Sequence, residues 1–487
     1  MRPLGTPAPL PGASGRSHAI VIGGSMGGLL AARVLADHFA RVTIVDRDRF
    51  PDRPDHRRGA PQSRHAHALL PRGQQILEQL FPGIGDELRE AGATPARRGP
   101  VFVTPAGKLP SSFAAGGAPG FFASRVLLEW HVRRRLGERP NLHTFAGTEV
   151  TGLAANSPRD RVEGVWLRRL ADDRAASGEL VAADLVVDAS GRHSLTPTWL
   201  ETLGFGATPE EIVESGTGYA SRFYRKPAGW VDEWDALIVN GRPPGNPRAG
   251  LILPIEDGLW HVSLGGFAGH HPPTDEAGFL AWAAALPDPS LYEAIRVAVP
   301  VSPIRGYRTP QNRLRRFERL PRWPEGFTAI GDAVCAFNPI YGQGMTVAAI
   351  GAELLGKSLQ RQASHPRTDF ARRFQRDLAR AVAAPWMIAS SEDLRWGVAS
   401  TGIPAAPASR LVRRYVERVL RRARTDSAVS GAYLAVIGLV APPASLFAPR
   451  VLGAVLIGAL PGRSALPADD FALSSAALAQ LRALPAY

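Results

Sequence analysis

The hydrophobic positions near the start of the chain follow a strand-like pattern, then a helix-like one, then a strand-like one again. HAIVIGG at 18–24 is an apolar run that ends in glycines, and SMGGLLAARVLADHF at 25–39 places apolar residues at helical spacing. RVTIVDRD at 41–48 is a second strand-like run. A strand, a glycine turn, a helix and a strand in this order predict a βαβ unit, the building block of a parallel sheet.

Later segments repeat and then depart from this pattern. A helix is predicted at 73–92 and an amphipathic helix at 124–139, followed by strand-like runs that include GELVAADLVVDASG at 178–191. Aromatic residues, proline and glycine become frequent in 216–310, which predicts an antiparallel sheet in a second domain. From residue 327 the first pattern resumes, with a strand, a helix at 344–362 and a mostly helical, apolar tail.

The order of these patterns predicts an α/β protein with a Rossmann-like domain assembled from separated segments. A mostly antiparallel β-sheet domain for the substrate is inserted between them, and a helical C-terminal region follows. A Pro/Gly-rich disordered tail is expected at 1–17. The expected segments are 18–95, 123–210 and 311–400 for the Rossmann-like domain, 96–122 and 211–310 for the substrate domain, and 401–487 for the C-terminal region.

Composition excludes several classes of protein. The 487 residues are 45% hydrophobic and 21% charged, and the net charge of +13 is spread along the chain. Because no basic stripe is interleaved with aromatic residues, nucleic-acid binding is not expected. The single Cys335 allows no internal disulfide, so we expect a cytoplasmic protein. The apolar segments 428–441 and 451–460 are too short to span a membrane, which leaves open only a weak contact with a membrane surface.

The first candidate site is the glycine turn VIGGSMGG. Gly23 and Gly28 occupy the first and third glycine positions of the dinucleotide-binding pattern G-x-G-x-x-G, and Ser25 occupies the second. Such a turn lets the backbone approach a pyrophosphate, and the helix that follows offers free N–H groups and positive potential. Asp46 ends the second strand, where an acid that binds the adenosine ribose is expected. The alternative is a plain α/β turn with a surface aspartate.

Two later strands also end in an aspartate near glycines. Asp188 in VVDASGRHS is explained equally well by an ordinary turn at the end of a strand. FTAIGDAVCAFNPIYGQGMTVAA at 327–349 places Asp332 just beyond a strand and Gly342-Gln343-Gly344 at the start of a helix. A carboxylate there suits the hydroxyls of a ribityl chain, and free helix N–H groups suit an electron-rich ring. A helix cap alone explains the proline and one glycine, but not the aspartate.

VIGGSMGG, DASGRHS and GDAVCAFNPIYGQG, in this order, resemble the three FAD motifs of the single-component flavoprotein monooxygenases, the p-hydroxybenzoate hydroxylase superfamily. Within it, RRGAPQSRHAHALLPRGQQILEQLFPG at 57–83 and ASRVLLEWHV at 123–132 are similar to the flavin epoxidases that oxidise polyene precursors of polyether antibiotics. The resemblance covers residues 18–400, roughly. Its three motifs are specific for FAD and for the superfamily, and much less specific for reaction and substrate.

This resemblance implies that the Rossmann-like domain is an FAD-binding domain of the GR2 type. The first motif would border the pyrophosphate, Asp46 would bind the adenosine ribose, and Arg125 would hold a phosphate or ribose. Asp188 would belong to a motif that serves both FAD and NAD(P)H, and Asp332 would bind the ribityl chain. The implied cofactor-binding residues are Gly23, Gly24, Ser25, Met26, Gly27, Gly28, Asp46, Arg47, Arg125, Asp188, Gly331, Asp332, Gly342, Gln343, Gly344 and Met345.

The resemblance also implies a reaction. NAD(P)H would reduce FAD, O2 would form a C4a-hydroperoxyflavin, and one oxygen atom would pass to an apolar secondary-metabolite precursor. The implied catalytic candidates are His65, His67, Pro339, Gly342 and Gln343. A loop histidine is more often simply hydrogen-bonded, so a catalytic role for His65 or His67 stays open. No metal is expected, because no third ligand follows at suitable spacing.

Epoxidation of a polyene or polyketide olefin is expected over phenol hydroxylation, because the π bond needs no base to attack an electrophilic oxygen. The alternatives are a hydroxylase of an aromatic polyketide, a polyprenyl-type reductase, and a dinucleotide-binding protein without catalysis. A flavin halogenase is disfavoured, because the chain lacks Trp-x-Trp-x-Ile-Pro. It also offers few candidates for the lysine that such enzymes need, namely Lys108, Lys226 and Lys357. The substrate, the choice between NADPH and NADH, and the oligomeric state stay open.

Overall fold

A computed structural model of the protein describes residues 17–109, 120–171, 178–227, 230, 233–309, 311–403, 409–457 and 472–486. The tail predicted at 1–17 therefore lies outside the described residues except for Ser17.

The described chain alternates helices and strands. Its α-helices are α1 Met26–Leu35, α2 Pro71–Leu80, α3 Ile84–Glu90, α4 Arg125–Gly137, α5 Thr196–Thr202, α6 Glu276–Ala284, α7 Ser290–Arg296, α8 Gly344–Ser364, α9 Phe370–Leu394, α10 Ser409–Ala423, α11 Ser427–Ile437, α12 Pro449–Ile457 and α13 Ser475–Ala483. Its strands are β1 His18–Ile22, β2 Arg41–Asp46, β3 Thr94–Pro95, β4 Pro100–Thr104, β5 Gly107–Leu109, β6 Phe121–Phe122, β7 Leu142–Ala146, β8 Thr148–Ala155, β9 Val162–Arg169, β10 Glu179–Ala182, β11 Leu185–Asp188, β12 Glu210–Val213, β13 Thr217–Arg225, β14 Ala236–Val239, β15 Arg248–Pro254, β16 Leu259–Gly266, β17 Val299–Pro300, β18 Arg305–Thr309, β19 Asn312–Arg315, β20 Phe327–Ala329, β21 Cys335–Ala336 and β22 Ser400–Thr401.

The first layer is a five-stranded parallel sheet in the order β20-β11-β1-β2-β7. Its central strand β1 pairs with β2 on one side and β11 on the other, with α1 as the helix between β1 and β2. Because Ile22 pairs with Asp188 and Asp188 pairs with Ala329, the ends of β1, β11 and β20 lie side by side. The three motif turns therefore meet at one edge of the sheet, and the predicted α/β fold class is confirmed.

Two of the predicted elements are each divided in the structure. The helix expected at 73–92 is α2 and α3, because Pro82 interrupts the helical run and Gly83 takes a left-handed φ of 84°. The strand-like run at 178–191 is β10 and β11, which belong to different sheets. The chain turns between them at Asp184, whose Oδ2 accepts hydrogen bonds from the N–H groups of Ser17 and His18 at 2.8 and 2.9 Å.

The second layer is an eight-stranded sheet in the order β17-β13-β16-β15-β14-β4-β5, with β18 also paired to β13. Its pairs are antiparallel except that of β14 with β4. Trp260 and Val262 of β16 pack with Phe279 of α6 and Leu291 of α7 in its core. Both segments predicted for the substrate domain thus contribute strands to one sheet, although 110–119 lie outside the described residues.

The C-terminal helices occupy two places. Helices α10, α11 and α12 share a small apolar core, which includes Val419, Val429 and Val451. Helix α13 instead packs through Leu478 and Leu481 into the core of the eight-stranded sheet. In the part of the chain that the structure describes, none of the helices combines the length and apolarity that a membrane crossing needs.

Candidate cofactor site and adjoining cavity

The turn between β1 and α1 brings backbone close to the place where a ligand would lie. Gly23 has a φ of 98°, and a Cβ atom there would lie 2.7 Å from the carbonyl oxygen of Ala189. A Cβ atom on Gly28 would collide with the carbonyl oxygen of Gly23, so glycine lets α1 pack directly on the turn. No side chain among the described residues caps α1. Its first N–H groups are therefore available to an anion.

A buried charged cluster lies at the same helix N-terminus. Arg125, the first residue of α4, donates through Nη2 to Ser25 Oγ at 2.6 Å and to Glu129 Oε2 at 3.0 Å. Arg57 donates through Nε to Glu129 Oε1 at 2.9 Å. Burial acts to raise the pKa of Glu129, but the charges of Arg125 and Arg57 lower it overall. Arg57 also pairs with Asp48 at 3.2 Å. The cluster therefore fixes Arg125 beside the helix N-terminus, where its guanidinium is placed to donate to a pyrophosphate.

The structure places the two residues at the end of β2 differently. The Asp46 carboxylate accepts hydrogen bonds from Gly24 N at 2.6 Å and from Asp48 N at 2.7 Å. It therefore borders the glycine turn and helps to hold its shape. The side chain of Arg47 is 77% exposed and lies 3.7 Å from Glu149. Arg47 is thus kept at the surface, away from the cluster formed by Arg125 and Glu129.

Asp188 is committed to hydrogen bonds within its own turn. Its carboxylate is fully buried and accepts hydrogen bonds from Ser190 N at 2.9 Å, Ser194 Oγ at 2.5 Å and Thr196 Oγ1 at 2.6 Å. These bonds close the loop from the end of β11 to the start of α5. Asp188 therefore stabilises the edge of the sheet on which the glycine turn rests.

Asp332 has a different environment, although it also follows a strand of the parallel sheet. It is half-buried, and no described residue donates a hydrogen bond to it. A Cβ atom on Gly344, at the start of α8, would lie 3.6 Å from its Oδ1. Burial raises the pKa of Asp332, although the charges of Arg192 and Arg125 oppose this shift. A half-buried carboxylate with no hydrogen-bond donor in the described part of the chain is suited to a ligand that brings its own donors.

The third motif borders a cavity of about 270 Å³. Pro339, Gly342, Gln343 and Met345 line it. Gly342 takes a left-handed φ of 64°, and Gln343 is 3% exposed, with an Oε1 atom that has no partner among the described residues. Arg125 also lines the cavity, so the cavity and the charged cluster at α1 share a side chain.

The other walls of the cavity are mainly apolar and come from three parts of the fold. They include Phe102 and Leu253 of the eight-stranded sheet, Ile388 of α9, Leu420 of α10 and Ile437 of α11. Just after α9, Trp396 stacks on Phe267 with ring centroids 4.7 Å apart. Glu392 and Arg395 also line the cavity and pair at 2.8 Å. The cavity is thus a largely apolar chamber with one ion pair in its wall.

The structure separates the two loop histidines. His67 lines the cavity, and its Nδ1 donates to the carbonyl oxygen of His65 at 2.8 Å. His65 is buried, with Nδ1 hydrogen-bonded to Ser221 Oγ at 2.8 Å and its ring packed against both Tyr219 and Tyr307. Burial lowers the pKa of His65 to about 4 and that of His67 to about 3. Both imidazoles are therefore neutral near pH 7.

Sequence reasoning missed three buried residues of this region. Glu129 follows Arg125 by four residues on one helix, a spacing at which side chains meet, so it could have been found. Arg57 stood in a polar loop with other arginines and had no distinguishing signal. His261 lies in β16, and its Nε2 donates to the carbonyl oxygen of Arg64 at 3.2 Å. Within an apolar strand, a histidine cannot be told from an ordinary core residue.

We expect Ser25→Gly to weaken FAD binding by about fivefold, although it restores the usual glycine pattern. Arg125 would lose a hydrogen-bond acceptor worth about 1 kcal/mol, and its guanidinium would be less well placed. Quenching of FAD fluorescence on titration with the flavin-free protein measures the affinity. Ser364→Gly, at the far end of α8, is the matched control and should bind like wild type. Tighter binding by Ser25→Gly would show that the bulk of the serine outweighs its hydrogen bond.

Comparisons with known proteins extend this description. No family model matches the chain. The curated protein Rv3254 of Mycobacterium tuberculosis is 34% identical over 394 residues, which are 78% of this chain and 80% of that protein. Its name states no activity.

Two solved structures show the fold. The flavin-dependent brominase Bmp2 matches with a TM-score of 0.62 and 15% identity, over 86% of this chain and 93% of its own. The p-nitrophenol 4-monooxygenase PnpA from Pseudomonas putida DLL-E4 matches with a TM-score of 0.60 and 17% identity, over 87% and 99%. The resemblance to flavoprotein monooxygenases is thereby confirmed at the level of the fold, which halogenases share.

Proposed function

Because the chain belongs to the same family as Rv3254 of Mycobacterium tuberculosis and has the fold of flavin-dependent monooxygenases and halogenases, we propose that it is an FAD-dependent monooxygenase. It would use NAD(P)H and O2 to transfer one oxygen atom to an apolar substrate. The observation that carries this proposal is the position of the cavity. Pro339, Gly342 and Gln343 border it on one side, and apolar walls of the second sheet and C-terminal helices border the others.

Unsatisfied polar groups support FAD as the cofactor. They lie at the edge of the parallel sheet where the three motif turns meet. The uncapped N-terminus of α1, with Arg125 beside it, would hold the pyrophosphate. Asp332, which has no donor in the described chain, would accept hydrogen bonds from the ribityl hydroxyls. Gln343, whose buried Oε1 finds no partner in the part of the chain that the structure describes, would meet the polar edge of the ring. When bound, FAD would supply electron transfer from NAD(P)H and the activation of O2.

The chain itself would supply position and a dry environment. The N–H groups at the start of α8 carry the positive end of the helix dipole and would stabilise negative charge beside them. Apolar side chains such as Leu253 and Leu420 keep water away from the substrate space. His67 faces this space as a neutral imidazole whose proton lies on Nδ1, bound to the His65 carbonyl oxygen. Its Nε2 can therefore accept a hydrogen bond, and the ring adds no charge.

The cavity favours olefin epoxidation within this class. An olefin needs no proton removed before it attacks an electrophilic oxygen. Burial lowers the pKa of His67 to about 3, so this imidazole is a poor base near pH 7. We therefore propose a polyene or polyketide olefin as the substrate. A hydroxylase of an aromatic polyketide is the second candidate, because Glu392 also lines the cavity and could accept a phenolic proton.

The lysines of the chain disfavour a halogenase. None of them belongs to the described lining of the cavity. Lys108 donates through Nζ to the carbonyl oxygen of Ala472 at 3.1 Å, and Lys357 pairs with Glu353 at 3.0 Å on the surface of α8. A monooxygenase needs no such lysine, so its absence from the lining supports oxygen transfer over halogenation.

The test is a visible spectrum of the purified protein in air, before and after NADPH, with oxygen uptake followed alongside. We expect a flavin spectrum that bleaches on addition of NADPH and recovers as oxygen is consumed. Screening of polyenes against phenols then separates the two candidate substrates. Bleaching without oxygen uptake would indicate a reductase. A protein that shows no flavin even after FAD is added would overturn the proposed function.

A further inference from the structure

A buried carboxylate joins the end of α9 to the turn that borders the cavity. Asp393 is fully buried. It accepts hydrogen bonds from Tyr341 Oη at 2.6 Å, from Asn338 Nδ2 at 3.1 Å, and from Asn312 Nδ2. Asn338 Nδ2 also donates to Thr217 Oγ1 at 2.7 Å. One side chain thus links the turn to α9, β19 and, through Asn338, to β13.

These bonds act on both ends of the turn Asn338–Gly342. At its start, Asn338 Oδ1 accepts a hydrogen bond from Ile340 N at 3.2 Å and caps a short 3-10 helix. At its end, Tyr341 precedes Gly342. The left-handed conformation of Gly342 turns the backbone toward the start of α8. Tyr341 and Gly342 both line the cavity. Loss of the Asp393 carboxylate would therefore free the turn at both ends while leaving the rest of α8 in place.

We propose that ionised Asp393 is a positioning residue that holds the turn Asn338–Gly342 in the shape that receives the flavin. This inference rests on the proposed function, because the turn borders FAD only if FAD binds there. The partners of Asp393 explain why charge matters: Tyr341, Asn338 and Asn312 all act as donors toward it. A protonated carboxyl would place its own O–H against these donors. One of them would have to become the acceptor, either Tyr341 by turning its hydroxyl or Asn312, whose Oδ1 has no partner among the described residues, by turning its amide.

The ionisation of this group falls in an accessible pH range. Burial raises the pKa of Asp393 to about 6, although hydrogen bonds from Tyr341, Asn312 and Asn338 lower it. Glu392, on the same helix end, raises it as well. Burial and the Asp393 charge raise the pKa of Tyr341 well above its usual value, with Glu392 adding to the rise and Arg395 opposing it. Tyr341 therefore stays a donor, and the carboxyl alone changes state near pH 6.

The effect of Asp393 ionisation on the free energy of unfolding shows whether this residue stabilises the fold or only positions the turn. Because the pKa of Asp393 is raised from 3.8 to about 6 in the folded protein, the folded state binds the proton more tightly than the unfolded state. Stability is therefore lost as pH rises through this range. An ionised Asp393 near pH 7 makes the fold less stable, which fits a role in the shape of the site and not in stability.

The test measures FAD affinity at about pH 5 and about pH 8 for wild type, Asp393→Asn and Tyr341→Phe. Wild type should bind FAD about tenfold more weakly at the lower pH, with a midpoint near 6, because a charge-assisted hydrogen bond is worth about 1.5 kcal/mol or more. Asp393→Asn should bind weakly at both values. Tyr341→Phe removes a donor to the ionised form, so its midpoint should move to higher pH.

Tyr415→Phe is the matched control for Tyr341→Phe. It removes one phenol hydrogen bond, that from Tyr415 Oη to the carbonyl oxygen of Leu446 at 2.6 Å, and should leave the midpoint unchanged. Asp332 also has a raised pKa, so any pH dependence that persists in Asp393→Asn belongs to Asp332 or other groups. The Tm of the flavin-free wild type, measured relative to Asp393→Asn, should fall between about pH 4 and pH 7.

The outcomes separate this inference from the proposed function. Wild type that binds no FAD at any pH would overturn the proposed function and the inference with it. Wild type that binds FAD, with an Asp393→Asn variant of the same affinity and pH profile, would overturn the inference alone. A Tyr341→Phe midpoint that stays at the wild-type value would do the same, because Tyr341 would not then act through Asp393.

Discussion

We expect replacement of Gly28 by alanine to abolish FAD binding and to lower the stability of the flavin-free protein by about 3 kcal/mol, the upper end of the cost of overpacking. A Cβ atom at this position would fall on the carbonyl oxygen of Gly23. Backbone cannot move aside as a flexible side chain can, so α1 would shift away from the turn. The N–H groups proposed to bind the pyrophosphate would move with it. Thermal unfolding of the flavin-free protein and titration with FAD measure the two effects.

Gly27→Ala is the matched control for this substitution. A Cβ atom on Gly27 would lie 3.5 Å from the Cβ of Ala348, an ordinary van der Waals contact. Its flavin-free form should unfold at the wild-type temperature or above, because alanine is the better helix former. Equal stability of the Gly28→Ala and wild-type proteins would show that α1 does not pack on the turn as described.

We expect replacement of Asp332 by alanine to lower FAD affinity by about 100-fold, because two charge-assisted hydrogen bonds to the ribityl hydroxyls would be lost. The flavin-free variant should be at least as stable as wild type at pH 7. Burial raises the pKa of Asp332 above its usual value. Ionisation of this carboxyl at pH 7 therefore makes the folded state less stable, and the substitution removes that cost. FAD titration and thermal unfolding of the flavin-free protein give the two values.

Asp188→Ala is the contrasting variant, because both aspartates follow neighbouring strands of the parallel sheet. It would leave Ser190 N, Ser194 Oγ and Thr196 Oγ1 without their acceptor and should cost the flavin-free protein about 3 kcal/mol. Tight FAD binding retained by Asp332→Ala would contradict the role assigned to the third motif. A loss of stability in Asp332→Ala equal to that in Asp188→Ala would show that Asp332 also supports the fold.

Patterns within short segments of the sequence predicted much of the fold and several residues of the candidate site. The period of apolar residues identified β1, α1 and β2, and three glycine-rich turns identified the residues that meet at the end of the parallel sheet. These features depend on residues that are close in the chain, where spacing and conformation are linked directly. The same reasoning could not tell that Asp188 is satisfied by its own turn while Asp332 is not. Both aspartates lie at or just beyond the end of a strand and precede alanine.

Contacts between segments that are distant in the chain could not be predicted from the sequence. Asp393 and Asn338 are separated by 55 residues, and Arg57 and Glu129 by 72. No periodicity relates such pairs, because their meeting depends on how whole helices and sheets pack. The cavity likewise takes walls from α10 and α11, whose apolar faces predicted only burial.

The sequence by itself determined the α/β class, the order of the layers and the three turns, because short-range sterics and hydrophobic periodicity act within each segment. The tertiary structure decided which of those turns keeps a free carboxylate and which histidine faces the cavity. It also decided that a buried acid on α9 reaches the turn at Asn338–Gly342. Packing of separated elements sets burial and hydrogen-bond partners, and these determine what each side chain can do.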